Sequence, residues 1–221
     1  MTRTRRALFF SCLLAAALHG GLAAAATPEQ VASFFRAVQV DNAAAVREMA
    51  GKTVNPNEIN PVGGEPALVL AVREGAMQVF QALLAHPGID LEARAMNGNT
   101  ALMMAAFKNN LRAAEALLAK GAQVNRPGWT PLHYAAAGGA EDIARLLIAR
   151  KANLDARSPT QSGAYTPLMM AAREAQPGMV RLLLEAGADP ALKNSEGLTA
   201  AQIAERAGQA GIAATISGFK R

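Results

Sequence analysis

A short residue pattern recurs along this chain at intervals near 33, and a period of that length restricts the fold more than anything else in the sequence. Thr130, Pro131, Leu132, His133, Tyr134 and Ala135 form the fullest copy. Residues 166–171 repeat it with one change and residues 100–105 with two, and weaker copies begin at Pro66 and Thr199. With the leucine as marker, positions 34, 68, 102, 132, 168 and 201 hold Phe, Leu, Leu, Leu, Leu and Ala, at spacings of 34, 34, 30, 36 and 33. The uneven spacings fall in connections. Residues 125–130 are short by three and residues 155–166 long by three, a tolerated change because closure entropy grows slowly with loop length. A unit of this size cannot bury its apolar face alone, so neighbouring units must stack.

Each copy has a second half with helical spacing. Ile143, Leu146 and Leu147, or Val180, Leu182, Leu183 and Leu184, or Val79, Leu83 and Leu84, put apolar side chains at i, i+3 and i+4. Gly88, Gly121 and Gly187 follow, and each is expected to supply the left-handed backbone that ends a helix. Lys151 stands where a fourth such glycine is expected. Between the two halves, Asn109 suits a left-handed turn. Ala175 does not, so that turn is expected to be locally rearranged before Pro177 restarts the helix.

These motifs resemble the ankyrin repeat family over about residues 30–218. The resemblance implies an all-α solenoid of about six helix-turn-helix repeats with hairpin-like loops, near residues 30–60, 61–93, 94–125, 126–156, 157–193 and 194–218. Ala71, Ala105, Ala106, Ala135, Ala136, Ala171 and Ala172 suit close helix pairing. Phe34, Phe35, Val38, Val46 and Met49 read as a degenerate first repeat, and the polar copy after Ser195 as the last, since end repeats meet water on one face.

Ahead of the repeats, Arg3, Arg5 and Arg6 precede an apolar run of 12 residues, 7–18, and small residues reaching Ala26. That is the layout of a cleaved secretory signal, and the run is short of the roughly 20 residues a membrane span needs. Residues 1–26 are thus expected to leave, with 27–221 as the repeat domain and no membrane anchor after cleavage. Arg5 and Arg6 also resemble a twin-arginine start. Removal takes three arginines and lowers the formal charge from +5 to +2. With no basic run of five left, nucleic acid is not an expected partner. Cys12, the only cysteine, leaves too, so packing alone must hold the core in an oxidising compartment.

Material for chemistry is sparse. His86 and His133 are the only histidines after residue 26. His86 reads as a helix-end residue, and His133 as the histidine that bonds backbone at the helix start and the neighbouring loop. Neither a zinc ligand set, a serine-nucleophile elbow nor a phosphate-binding glycine loop is found. The expectation is no enzyme, no cofactor and no metal.

The resemblance implies partner contacts from the hairpin tips and the exposed side of each first helix, a concave face. Carried onto this chain, those positions are Glu65, Arg73, Glu74, Met96, Asn97, Asn99, Phe107, Lys108, Trp129, Ala137, Tyr165, Arg173 and Glu174. Trp129, Tyr165 and Phe107 stand out, because large aromatics often dominate binding energy. Met103, Met104, Met169 and Met170 read as inter-repeat core. The functional expectation is a monomeric, non-catalytic periplasmic module that captures one protein. It would support a periplasmic enzyme such as a catalase, or neutralise a toxin as an immunity protein. A secreted effector that binds a host protein is the alternative, and an enzyme site in the concave face is a third class.

Overall fold

The computed structural model describes residues 25–220. The expected leader and Cys12 lie outside the described residues, apart from Ala25 and Ala26 at its end. Among the described residues there are twelve α-helices in six consecutive pairs. They are α1 (Pro28–Gln39) with α2 (Ala43–Met49), α3 (Ala67–Glu74) with α4 (Met77–Leu84), and α5 (Ala101–Phe107) with α6 (Leu111–Ala119). Then come α7 (Pro131–Gly138) with α8 (Glu141–Ala149), α9 (Pro167–Arg173) with α10 (Pro177–Ala186), and α11 (Ala200–Arg206) with α12 (Ala210–Ser217). First helices stack on first helices and second on second, so the core runs the length of the stack.

The marker residue explains why the helices pair as they do. Phe34, Leu102, Leu132, Leu168 and Leu68 are at most 2% exposed, each worth about 1.5–3 kcal/mol of burial. Beside them Ala71, Ala105, Ala135, Ala171 and Ala204 are fully buried, and their small side chains let the two helices of a pair close up. In every pair the turn has one left-handed residue: Asp41, Gly75, Asn109, Gly139, Ala175 and Gly208. The next N–H then bonds back to the carbonyl of Ala37, Ala71, Ala105, Ala135, Ala171 or Ala204 at 2.8–2.9 Å.

Two expectations about these turns are corrected. The Ala175 turn is not rearranged: Ala175 takes φ 54° and the following Gln176 N–H reaches Ala171 O at 2.9 Å, as in the other pairs. Its strain, roughly 1–2 kcal/mol, is offset by that bond and by Pro177 at the start of α10. Gly121, Lys151 and Gly187 end their helices left-handed, whereas Gly88 does not. There α4 stops at Ala85 in right-handed geometry, and the Gly88 N–H donates to His86 Nδ1 at 3.0 Å.

Hairpin-like loops leave the stack between pairs. Backbone bonds close four of them: Asn60 N–H to Glu65 O, Ala95 to Asn99, Ser158 to Tyr165 and Asn194 to Leu198, all 2.8–2.9 Å. The long connection absorbs its extra length in a 3-10 turn at Thr160–Ser162. Ser158 in this connection is buried, and its Oγ accepts from the Tyr165 N–H at 2.9 Å. The short connection is braced by Arg126, whose guanidinium reaches Gly98 O at 3.4 Å.

Candidate functional site

Equivalent positions on successive first helices form a row on the hairpin side, and this row decides where a partner could sit. At one position the row reads Gln39, Arg73, Phe107, Ala137, Arg173, Arg206; at the next it reads Val40, Glu74, Lys108, Gly138, Glu174, Ala207. Outside the centre the charges answer one another. Arg73 pairs with Glu74 and Glu65 at 2.7 Å each, Arg173 with Glu174 at 2.8 Å, and Arg206 with Glu196 at 2.6 Å.

The centre has no such pair. Ala137 and Gly138 are too small to reach their neighbours, and a cleft of about 340 Å³ opens between Phe107 on one side and Arg173 and Glu174 on the other. Tyr134 and Met170 also line it, with Trp129 and His133 on the hairpin side. Phe107 and Tyr134 meet edge to face at 6.3 Å and 87°, and Trp129 tilts over Tyr134 at 6.2 Å. Phe107 is 54% exposed, one of the few large apolar side chains left in water.

His133 holds this site rigid. The Thr130 N–H donates to its Nδ1 at 3.2 Å, so Nε2 carries the ring proton and donates to the Tyr165 carbonyl at 2.9 Å. The side chain thus ties the start of α7 to the next hairpin, as expected from sequence. Burial pushes its pKa down to about 4, against the raising effect of its backbone bonds. Met169 and Gln202 take the same place in later repeats, accepting from the Thr166 and Thr199 N–H groups at 3.4 and 2.9 Å.

The expected contact residues do not all come together, and Arg73 and Glu74 stand apart from the cleft in their own ion pair. Phe107, Ala137, Arg173 and Glu174 line the cleft together with Trp129, Lys108 is exposed next to Phe107, and Met96 and Asn97 are exposed at a hairpin tip nearer the N-terminus. Trp129 and Tyr165 are half-buried rather than free. The Trp129 ring stands edge to face on His133 at 5.3 Å, and the Arg173 guanidinium lies 5.0 Å over the Tyr165 ring. Glu65 and Asn99 are corrected as direct contacts, because both are buried. Glu65 faces inward onto Arg73, with its pKa raised by desolvation and lowered by that arginine. Asn99 accepts from the Tyr134 hydroxyl, and burial raises the Tyr134 pKa. The methionine reading holds for Met103, Met169 and Met170, which are buried; Met104 is half-buried against the core.

Sequence reasoning missed Tyr134, the variable position of the best motif copy, and Arg126. Tyr134 could have been found, since it is the largest side chain at its place in the repeat. Among the described residues no three His, Cys, Asp or Glu side chains group as a metal site, and no helix is long and apolar enough to cross a membrane.

Comparison with known proteins agrees with this architecture. Ankyrin repeats (3 copies) match residues 34–127, 68–160 and 125–194. The chain belongs to the ankyrin repeat family. It is similar to the human transient receptor potential cation channel subfamily A member 1, 30% identical over 170 residues, covering 71% of this chain and 15% of that protein. The Drosophila melanogaster neurogenic locus Notch protein is 37% identical over 148 residues, covering 58% of this chain and 5% of that protein. An ankyrin repeat and KH domain-containing protein, mask-1 of Caenorhabditis elegans, is 38% identical over 111 residues, covering 49% and 4%. The chain thus spans a small fraction of these relatives' lengths. Ankyrin repeats are in general non-catalytic protein-interaction modules, and no enzyme family is evident among the matches.

Proposed function

We propose that this protein is exported to the periplasm and there captures one protein partner on the row of first helices and hairpin tips. As an accessory protein it would support an enzyme, or as an immunity protein restrain a toxin. The observation that carries the binding surface is the central cleft: an exposed Phe107 beside Tyr134 and Trp129, in a row whose three arginines are each paired with a glutamate. Aromatic groups of this kind dominate interfaces because they bring large apolar area at small entropic cost.

Export rests on the basic, apolar and small-residue order of residues 1–26. The start of the fold supports cleavage after Ala26, since Thr27 already caps α1, accepting from the Gln30 N–H at 3.2 Å. Cleavage there would leave all twelve described helices in place.

The experiment is a pull-down from periplasmic extract with the wild-type protein and with Phe107→Ala, read by mass spectrometry. One protein should be retained by the wild type and weakened about tenfold or more by the variant. Equal capture by both would exclude this face. Intact mass of the protein recovered from the periplasm should correspond to a start near Thr27; a full-length mass would count against cleavage.

A further inference from the structure

The cleft also carries information about its occupant, and this inference rests on the protein-binding reading above. The cleft lining is neutral, with Arg173 paired to Glu174, and further cations stand beside it. Lys108, exposed beside Phe107, forms no ion pair among the described residues. On the hairpin side, Arg126 is half-buried next to Tyr134, with NH1 3.4 Å from Gly98 O. Burial lowers the Arg126 pKa, and the exposed Arg94 adds to that lowering. Glu92 offsets this only in part, and its carboxylate already accepts the Gln123 N–H at 2.8 Å. The one carboxylate lining the cleft, Glu174, is held by Arg173.

An anion brought beside Lys108 and Arg126 meets positive charge that no carboxylate in the cleft compensates. The apolar part of the site says what accompanies that anion. Phe107, Tyr134 and Trp129 present ring edges and faces around the space that Ala137 and Gly138 leave empty. The other exposed large apolar side chains among the described residues, Val40, Ile59, Val62 and Met96, all lie in turns or hairpin loops of the N-terminal half.

We propose that the cleft receives an aromatic or aliphatic side chain from an acidic segment of the partner. The apolar group fills the space over Ala137 between Phe107 and Trp129, and flanking carboxylates meet Arg126 and Lys108. A segment with basic flanks is disfavoured by the same two cations.

Trp129 is the only tryptophan of the chain, so its fluorescence reports on the cleft directly. The probes are three blocked pentapeptides: Phe between two pairs of Asp, the same with Lys in place of Asp, and the same with Ala in place of Phe. Titrated against the purified protein at low salt, the acidic Phe peptide should shift Trp129 emission and bind about tenfold or more tighter than either other peptide. Lys108→Glu, at an exposed position without ion pairs, should narrow the preference for acidic flanks while leaving the circular dichroism spectrum and melting temperature unchanged. Equal or tighter binding of the Lys peptide, indifference to the Phe, or no emission change with any peptide at about 1 mM would overturn the proposal. Partner capture that depends on Phe107, combined with a preference for the Lys peptide, would overturn the acidic assignment alone. Capture indifferent to Phe107 would instead remove the reading on which it rests.

Discussion

The centre and the flanks of the first-helix row are built from the same repeat and differ in what they leave for a partner. At the flanks, Arg73 and Arg173 each lie back along the surface onto their own glutamates, and Arg173 also covers Tyr165. Those positions are solvated and satisfied, and exposed pairs of this kind contribute little to stability. At the centre, Ala137 and Gly138 leave the same space open, and His133 and Trp129 stiffen it from the hairpin side. A binding surface arises here by subtraction: the repeat that carries the strongest motif has the smallest side chains in the row. Gly138 is constrained as well as small, because a Cβ there would meet the Phe107 carbonyl oxygen at 3.2 Å.

The difference can be broken most strongly with acid. His133 titrates near 6.5 when unfolded and near 4 when folded, so between those values the unfolded chain binds more protons. Stability should therefore fall as pH drops from about 6.5 to 4, by about 3 kcal/mol in all, and not further from this source below 4. His133→Met, the residue its neighbours use, should flatten that part of the pH profile in urea melts. A slope unchanged by the substitution would show that other groups cause it.

Making the centre like a flank is the next test. Ala137→Arg supplies the residue found at positions 73, 173 and 206, and its guanidinium would occupy the cleft. Partner affinity should drop about a hundredfold, roughly 2.7 kcal/mol, with the melting temperature little changed. Retained affinity would mean that the cleft is not the contact.

Disturbing a flank should do the reverse. Arg73→Ala removes the partner of the buried Glu65 carboxylate and should cost about 1–2 kcal/mol in thermal unfolding, since one end of the pair is solvated. Binding at the central cleft should hold. An unfolding free energy equal to wild type would show that water replaces Arg73 at Glu65.

The smallest effect concerns turns. Gly139 follows the centre and Ala175 a flank, and both are left-handed. Ala175→Gly should relieve strain and raise stability by about 0.5–1 kcal/mol, less the entropy a glycine adds to the unfolded chain. A decrease would show that the Ala175 methyl contributes contacts that outweigh its backbone cost.

Much of this molecule could be read from one strand of text because its determinants are local and repeated. The marker leucines, the paired alanines and the Thr caps act within a single unit, so their spacing determined the helices, the six pairs and the stacking. His133 belonged to that legible set, since its bonds run to its own helix cap and the next loop. The centre of the site did not. Ala137 and Gly138 look like ordinary small residues until the neighbouring helices place Phe107 and Arg173 on either side of them. The same holds for Glu65 and Asn99, which are polar in sequence and buried in the fold because Arg73 and the Tyr134 hydroxyl satisfy them. Periodicity is carried along the chain, but a cleft is defined by what faces it across more than thirty residues, and only the packed stack sets those distances.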